Sequence, residues 1–173
     1  MPYPNWNVLQ PNMQAFVRNH VRGVFEQANG AQGGGVDLNE LRAYLIGKLL
    51  WDADCDLESH MMDFLTGFYG AAAPVIRRYI KTLTDKVEQD QIHLGFNDSC
   101  DRAHLTEDML DRYDELFVEA LAAVADDPIR QMRVARAQLA VRWVRMKNKA
   151  MLRHEIDPAE VNRFFTEDRK SVV

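Results

Sequence analysis

The sequence predicts a mainly α-helical protein, an up-and-down helical bundle preceded by a helix-strand-helix segment. Three observations predict it. Apolar residues recur at three- and four-residue spacing through most of the chain. Asp-Pro pairs and glycines punctuate those stretches where helices start and stop. One brief run, residues 21–26, breaks the helical period and alternates instead.

Residues 1–6 carry two prolines and read as a loop. A first helix is predicted at about 8–19, with Leu9, Met13, Phe16 and Val17 on one face. Val21-Arg22-Gly23-Val24-Phe25-Glu26 then reads as a short strand, followed by a glycine-rich loop from Ala28 to Gly35. Asp37 with Glu40 three residues later gives a capping-box-like start to a second helix. Leu38, Leu41, Leu45 and Leu49 mark its main face. Ala43, Ile46 and Leu50 add a second apolar side, so burial on more than one face is expected, and Trp51 at its end is read as core.

Asp56 begins a third helix striped by Leu57, Met61, Phe64, Leu65 and Phe68, and Gly70 stops it. Pro74 opens a fourth, a position where its missing N–H has no helical partner to lose; Ile76, Tyr79, Ile80, Leu83 and Val87 mark the buried face. Residues 91–104 read as irregular. Thr106 is the expected N-cap of a fifth helix carrying Leu110, Tyr113, Phe117, Leu121 and Val124. Asp127-Pro128 opens a long sixth helix to about Arg153, with Met132, Leu139, Trp143, Met146 and Ala150 inward. Asp157-Pro158 repeats that start for a short last helix bearing Val161, Phe164 and Phe165. Short turns between such helices imply antiparallel packing, so residues 53–173 read as the bundle domain and residues 1–52 as a separate segment.

The chain has 173 residues, 47% hydrophobic and 27% charged, a size that supports a buried core without disulfides or a structural metal. A formal charge of -5 and a pI near 5.5 argue against nucleic-acid or anionic-membrane partners, which call for a basic excess. No apolar run approaches the roughly 20 residues that cross a bilayer. The stretch MPYPNWNVLQPN lacks the basic start and apolar core of a secretory signal. Cys55 and Cys100 read as free structural thiols, with a disulfide as the alternative. No CxxC or HxxxH pair supplies metal-ligand spacing, so neither a metal nor another cofactor is expected.

A lone strand leaves its backbone N–H and C=O groups unpaired, and such groups are costly to bury. Helix, strand, glycine-rich loop and helix in that order are one unit of a parallel α/β sheet. Three long runs carry a resemblance here: VRGVFEQ at 21–27, LRAYLIGKLLW at 41–51, and FLTGFYGAAAP at 64–74 followed by Arg78-Tyr79-Ile80. Over about residues 2–80 the chain resembles the C-terminal part of a bacterial family labelled a domain of unknown function and regarded as glycoside-hydrolase-like. In that family a (β/α)₈ barrel precedes a helical region. The resemblance implies that helix 8–19, strand 21–26 and helix 38–51 are the remnant of an α/β barrel whose other strands are absent here. It also suggests a secreted or periplasmic protein acting on carbohydrate, of which this chain is a non-catalytic portion. The alternative is a self-contained helical interaction or assembly module.

Barrel active sites sit at the C-terminal ends of strands, where Glu26 and Gln27 stand with Asn29 just beyond. Glycoside hydrolysis generally uses two carboxyl groups about 5–10 Å apart. Only Glu26 has that placement, so the site is expected to be incomplete, and Glu26 either contacts sugar or simply ends its strand in solvent. Trp6, beside Asn5 and Tyr3, is read as a sugar-stacking edge or as a packed tryptophan. Gly33-Gly34-Gly35 lacks the GKS/T ending and GxGxxG spacing of phosphate loops. If helices 8–19 and 38–51 keep uncovered apolar sides, association follows, either as a homo-oligomer or against a missing barrel.

Overall fold

The computed structural model describes residues 1–26, 37–95, 99–151 and 157–170, with side chains described as far as residue 167. Among them the protein is mainly helical, with α1 (Trp6–Arg18), α2 (Asn39–Trp51), α3 (Leu57–Tyr69), α4 (Ala73–Gln89), α5 (Glu107–Ala123), α6 (Pro128–Met151) and α7 (Pro158–Lys170). A 3-10 turn, Gly70–Ala72, joins α3 to α4, and another, Ala103–Leu105, precedes α5. From α2 to α5 each helix packs on the next across a short or medium connection; α5 packs on α6, and α6 also reaches back to α3.

One continuous core runs from Trp6 and Leu9 on α1, through Leu41, Leu45 and Leu49 on α2, to Val141 and Val144 on α6. Its centre is aromatic. Tyr79 of α4 meets Tyr113 of α5 edge-on with ring centroids 5.4 Å apart, and Phe117 4.8 Å away. The long helix α6 carries two apolar faces. Val134, Ala137, Val141 and Val144, at alternating three- and four-residue steps, face the main core. Leu139 and Met146, seven residues apart, hold Phe164 of α7 in a satellite cluster.

Helix starts divide into those set locally and those set by tertiary contacts. Asp56 accepts the Ser59 N–H at 3.0 Å and the Ser59 hydroxyl at 2.7 Å, so it caps α3 as its sequence implies. Asp127 accepts the Arg130 N–H at 3.0 Å, and Asp157 the Ala159 N–H at 2.9 Å, ahead of the prolines that open α6 and α7. Thr106 precedes α5 but makes no side-chain cap. Asp37 does not cap α2 either: α2 begins from Leu38 in the left-handed region, and Glu40 pairs instead with Arg136 of α6 at 2.8 Å. The end of α1 is also unforeseen. His20 takes φ +55 with its N–H on the Val17 carbonyl, and the Val21 N–H reaches the Phe16 carbonyl. That is a Schellman stop built without glycine.

Four expectations are corrected. No strand occurs among the described residues; Val21–Glu26 is non-helical and exposed, and nothing described pairs with it. The barrel remnant is therefore not supported: α1 and α2 pack directly on each other within the common core, with no sheet between them. Trp51 is 93% exposed rather than core, since α2 is covered only along its Leu41–Leu45–Leu49 line and leaves Ala43 and Leu50 open as well. In α6, Met132 and Ala150 are exposed and Trp143 sits at the margin, its ring 6.0 Å from that of Phe164.

Candidate functional site

The most unusual local chemistry lies where α2 begins. Asp37 and Leu38 have φ of +75° and +58°, conformations that non-glycine residues adopt at a cost. Both side chains are buried, Leu38 in the core and Asp37 against Arg42. Asp37 Oδ2 accepts the Tyr3 backbone N–H at 2.7 Å and the Arg42 guanidinium at 3.3 Å. Arg42 also donates to the Tyr3 carbonyl at 3.0 Å and to Asn5 Oδ1. Its guanidinium lies 4.1 Å over the Trp6 ring. One ion pair thus clasps the segment before α1 to the start of α2.

Burial pushes the Asp37 carboxyl up from 3.8 to about 6, against the opposing pull of Arg42 and the Tyr3 N–H. Burial likewise draws Arg42 below its ordinary value, opposed by Asp37. A carboxyl titrating near 6 suits general acid-base work. Here, however, Oδ1 is sealed from solvent with no hydrogen-bond partner among the described residues, and Oδ2 is fully used. The pair is a clasp and offers no reacting face.

Beside it, a groove of about 370 Å³ runs between α1, α3 and α4. Leu57, Met61 and Ile80 give it apolar surface, and Asn7, Gln10, Glu58, Arg77 and Lys81 give it polar surface. Its polar groups are mutually engaged. Arg77 forks onto Glu58 at 2.8 and 2.9 Å, Lys81 meets Asp85 at 2.8 Å, and Gln10 donates to the Cys55 carbonyl at 2.7 Å. Trp6 lines this groove, but it is only 6% exposed and Arg42 covers one ring face. Amides, carboxylate and guanidinium over apolar surface are groups that hydrogen-bond to hydroxyls, without a free aromatic face for a pyranose.

Of the residues singled out in sequence for a sugar site, the structure describes Trp6 and Glu26. Glu26 is exposed and takes part in no described hydrogen bond or ion pair; Gln27 and Asn29 lie outside the described residues. Trp6 belongs to the clasp. The Gly33–Gly35 loop is also outside the described residues. Cys55 and Cys100 are free thiols, both pushed up by burial. Among the described residues no three His, Cys, Asp or Glu are grouped to hold a metal ion, and no helix is long and apolar enough to cross a membrane.

Sequence reasoning missed the Asp37–Arg42 clasp because five residues in a helix register carry no pairing signal, while Asp37 and Glu40 matched a capping pattern. The open apolar residues expected on the first two helices are present. Gln10 donates to the Ala53 and Cys55 carbonyls and Gln14 to Asp54, which lays the second half of α1 along the α2–α3 turn. Val17 at the end of α1 and Leu50 and Trp51 at the end of α2 are 66%, 53% and 93% exposed.

Residues 1–81 match the model of a family described as Domain of unknown function (DUF4838). No curated protein and no solved structure matches the chain. The matched stretch holds both halves of the clasp, the α1 and α3 walls of the groove, and the exposed Val17, Leu50 and Trp51.

Proposed function

We propose that this chain is the non-catalytic helical portion of a glycoside-hydrolase-like protein acting on carbohydrate, contributing a docking surface rather than a reaction centre. The observation that carries the docking role is the exposed apolar surface of Leu50 and Trp51, neighbours at the end of α2, with Val17 open on α1. Large apolar side chains left open on a folded protein mark an interaction site. The carbohydrate link is supported by the resemblance carried by residues 21–27, 41–51 and 64–80, and by the hydroxyl-binding groups of the α1–α3–α4 groove. A second reading, a self-contained assembly module with no carbohydrate role, is favoured by Arg42 covering the ring of Trp6.

Titration calorimetry against a panel of glycans, uronic-acid-containing ones included, separates the two when run beside a reducing-end assay. Heat of binding without release of reducing ends is expected. Hydrolysis by the chain would overturn the non-catalytic assignment, and the absence of heat with every glycan would leave the assembly module.

A further inference from the structure

Besides the face it turns to the main core, α6 carries an apolar seam. Ile129, Met132, Leu139, Trp143 and Met146 follow one another at three-, four- and seven-residue steps. On a straight helix that spacing keeps them within about 100° of arc. The later part of the seam is covered and its start is not. Leu139 and Met146 are 1% and 7% exposed where they pack with Phe164 of α7, whereas Ile129 and Met132 are 60% and 43% exposed.

The cover is slight. Of the α7 side chains described, Phe164 alone is buried, Val161 is half-buried and Phe165 is exposed. Phe164 packs on Leu139 and Met146, with its ring 6.0 Å from that of Trp143. This cluster is separate from the main core, so the packing that holds α2 to α6 together does not pass through α7. Two ion pairs flank the phenyl ring, Lys149 with Glu160 at 3.3 Å and Arg142 with Glu167. All four side chains are partly exposed, and pairs of that kind hold weakly. A helix of 13 residues is marginal in water by itself, so α7 depends on its seat. Elements with few buried apolar contacts open at lower free energy than the core they sit on.

We infer that α7 is a strap that opens as a unit of its own and uncovers the α6 seam. Closed, the strap hides Leu139 and Met146 behind Phe164. Open, it joins them to Ile129, Met132 and Trp143 in one apolar face on an otherwise intact bundle. The strap is independent of the docking role proposed for Leu50 and Trp51.

Hydrogen exchange of the full chain, read peptide by peptide by mass spectrometry, tests it. The α7 amides should be protected, yet exchange roughly a hundredfold or more faster than those of α4, whose Ile76, Tyr79, Ile80 and Leu83 are each 1% exposed. Phe164→Ala should bring α7 close to unprotected exchange, leave α4 unchanged and raise severalfold the fluorescence of ANS, a dye that binds open apolar surface. Arg142→Glu should speed α7 exchange severalfold, and adding Glu167→Arg should restore it. Exchange of α7 at the α4 rate would overturn the inference, because strap and bundle would then open together. A wild-type α7 without protection would overturn it too, because the seam would have no strap. So would a Phe164→Ala variant that binds no more dye.

Discussion

Replacing Arg42 with Met removes a buried cation while keeping most of the apolar stem that packs near Trp6. Arg42 supplies three things: charge to the Asp37 carboxylate, hydrogen bonds to the Tyr3 carbonyl and Asn5, and a guanidinium stacked 4.1 Å over Trp6. At pH 7 the variant leaves Asp37 without its partner and the carboxyl takes up a proton instead of staying charged, which with a pKa of about 6 costs at most about 1.4 kcal/mol beyond the lost contacts. The sign of the pH dependence follows from the direction of the Asp37 shift. Its folded pKa of about 6 lies above the ordinary 3.8, so the folded state holds that proton more tightly. The stability this group contributes is fully present below 3.8 and is lost as pH rises through about 6, amounting to about 3 kcal/mol.

Without Arg42 the Asp37 pKa climbs further, and the penalty at pH 7 grows. At pH 5 the carboxyl is largely neutral in both proteins. What remains of the loss is the stack on Trp6 and the two hydrogen bonds, about 1–2 kcal/mol. Urea unfolding followed by circular dichroism at pH 7 and pH 5 therefore shows a cost for Arg42→Met of about 2–3 kcal/mol at neutral pH that falls to about 1–2 kcal/mol on acidification. Asp56 and Asp127 do not confuse the comparison. Their carboxyls are held below the usual range, chiefly by the backbone N–H groups they cap, so their contribution is lost only below about 4. An equal cost at both pH values would refute the reasoning. A double variant Asp37→Asn, Arg42→Met that is no more stable at pH 7 than Arg42→Met alone would refute it as well.

Gly70 sits at φ +57° with a built Cβ 2.6 Å from Arg130 Cδ. Gly70→Ala should therefore lower unfolding free energy by about 1–3 kcal/mol, and adding Arg130→Ala should recover only the steric part. Tyr113 donates to the His104 carbonyl at 3.0 Å in a buried setting, so Tyr113→Phe should cost about 1 kcal/mol in the same urea assay. The Tyr79 hydroxyl is buried with no hydrogen-bond partner among the described residues, and Tyr79→Phe should be neutral or stabilising. Phe117→Ala empties the aromatic centre shared with Tyr79 and should cost about 3–5 kcal/mol, read as a fall in urea midpoint.

Helices α3, α4 and α5 were legible in sequence because each carries one apolar stripe and buries that stripe. Ile76, Tyr79, Ile80 and Leu83 are the residues periodicity selects and the residues the core contains. The period fails where a helix is apolar on several sides. In α6 apolar residues occur around the whole circumference, and two partners, the main core and α7, divide them. Met132 is two residues from Val134, about 200° around the helix, and so faces away from the core when Val134 faces in. Trp51 stands in the same relation to Leu49. Composition alone favours burial of a tryptophan, but geometry decides which apolar residues find a neighbour. Of the two proposed site residues that the structure describes, Trp6 joins a structured cluster and Glu26 does not, and Trp6's partner Arg42 carried no signal because the contact spans more than thirty positions.

Among the places where the chain breaks local rules, two differ in how the fold answers them. Asp37 and Leu38 adopt left-handed backbone that their side chains disfavour and abandon the cap their sequence offers. The cost is offset in the same neighbourhood: Leu38 enters the core and Asp37 closes the clasp to Tyr3, Asn5 and Trp6 through Arg42. That violation serves folding, fixing how α2 leaves the preceding connection and where α1 lies against it. Arg22–Glu26 presents the opposite case. Its β-prone side chains and open backbone find no counterpart among the described residues, while Phe25 remains 86% exposed. A local conflict resolved by neighbouring contacts is structure, whereas one left unresolved on the surface points to what the surface meets. By that distinction the buried Asp37, despite its raised pKa, is the poorer guide to function, and the exposed, non-helical run after α1 is the better one.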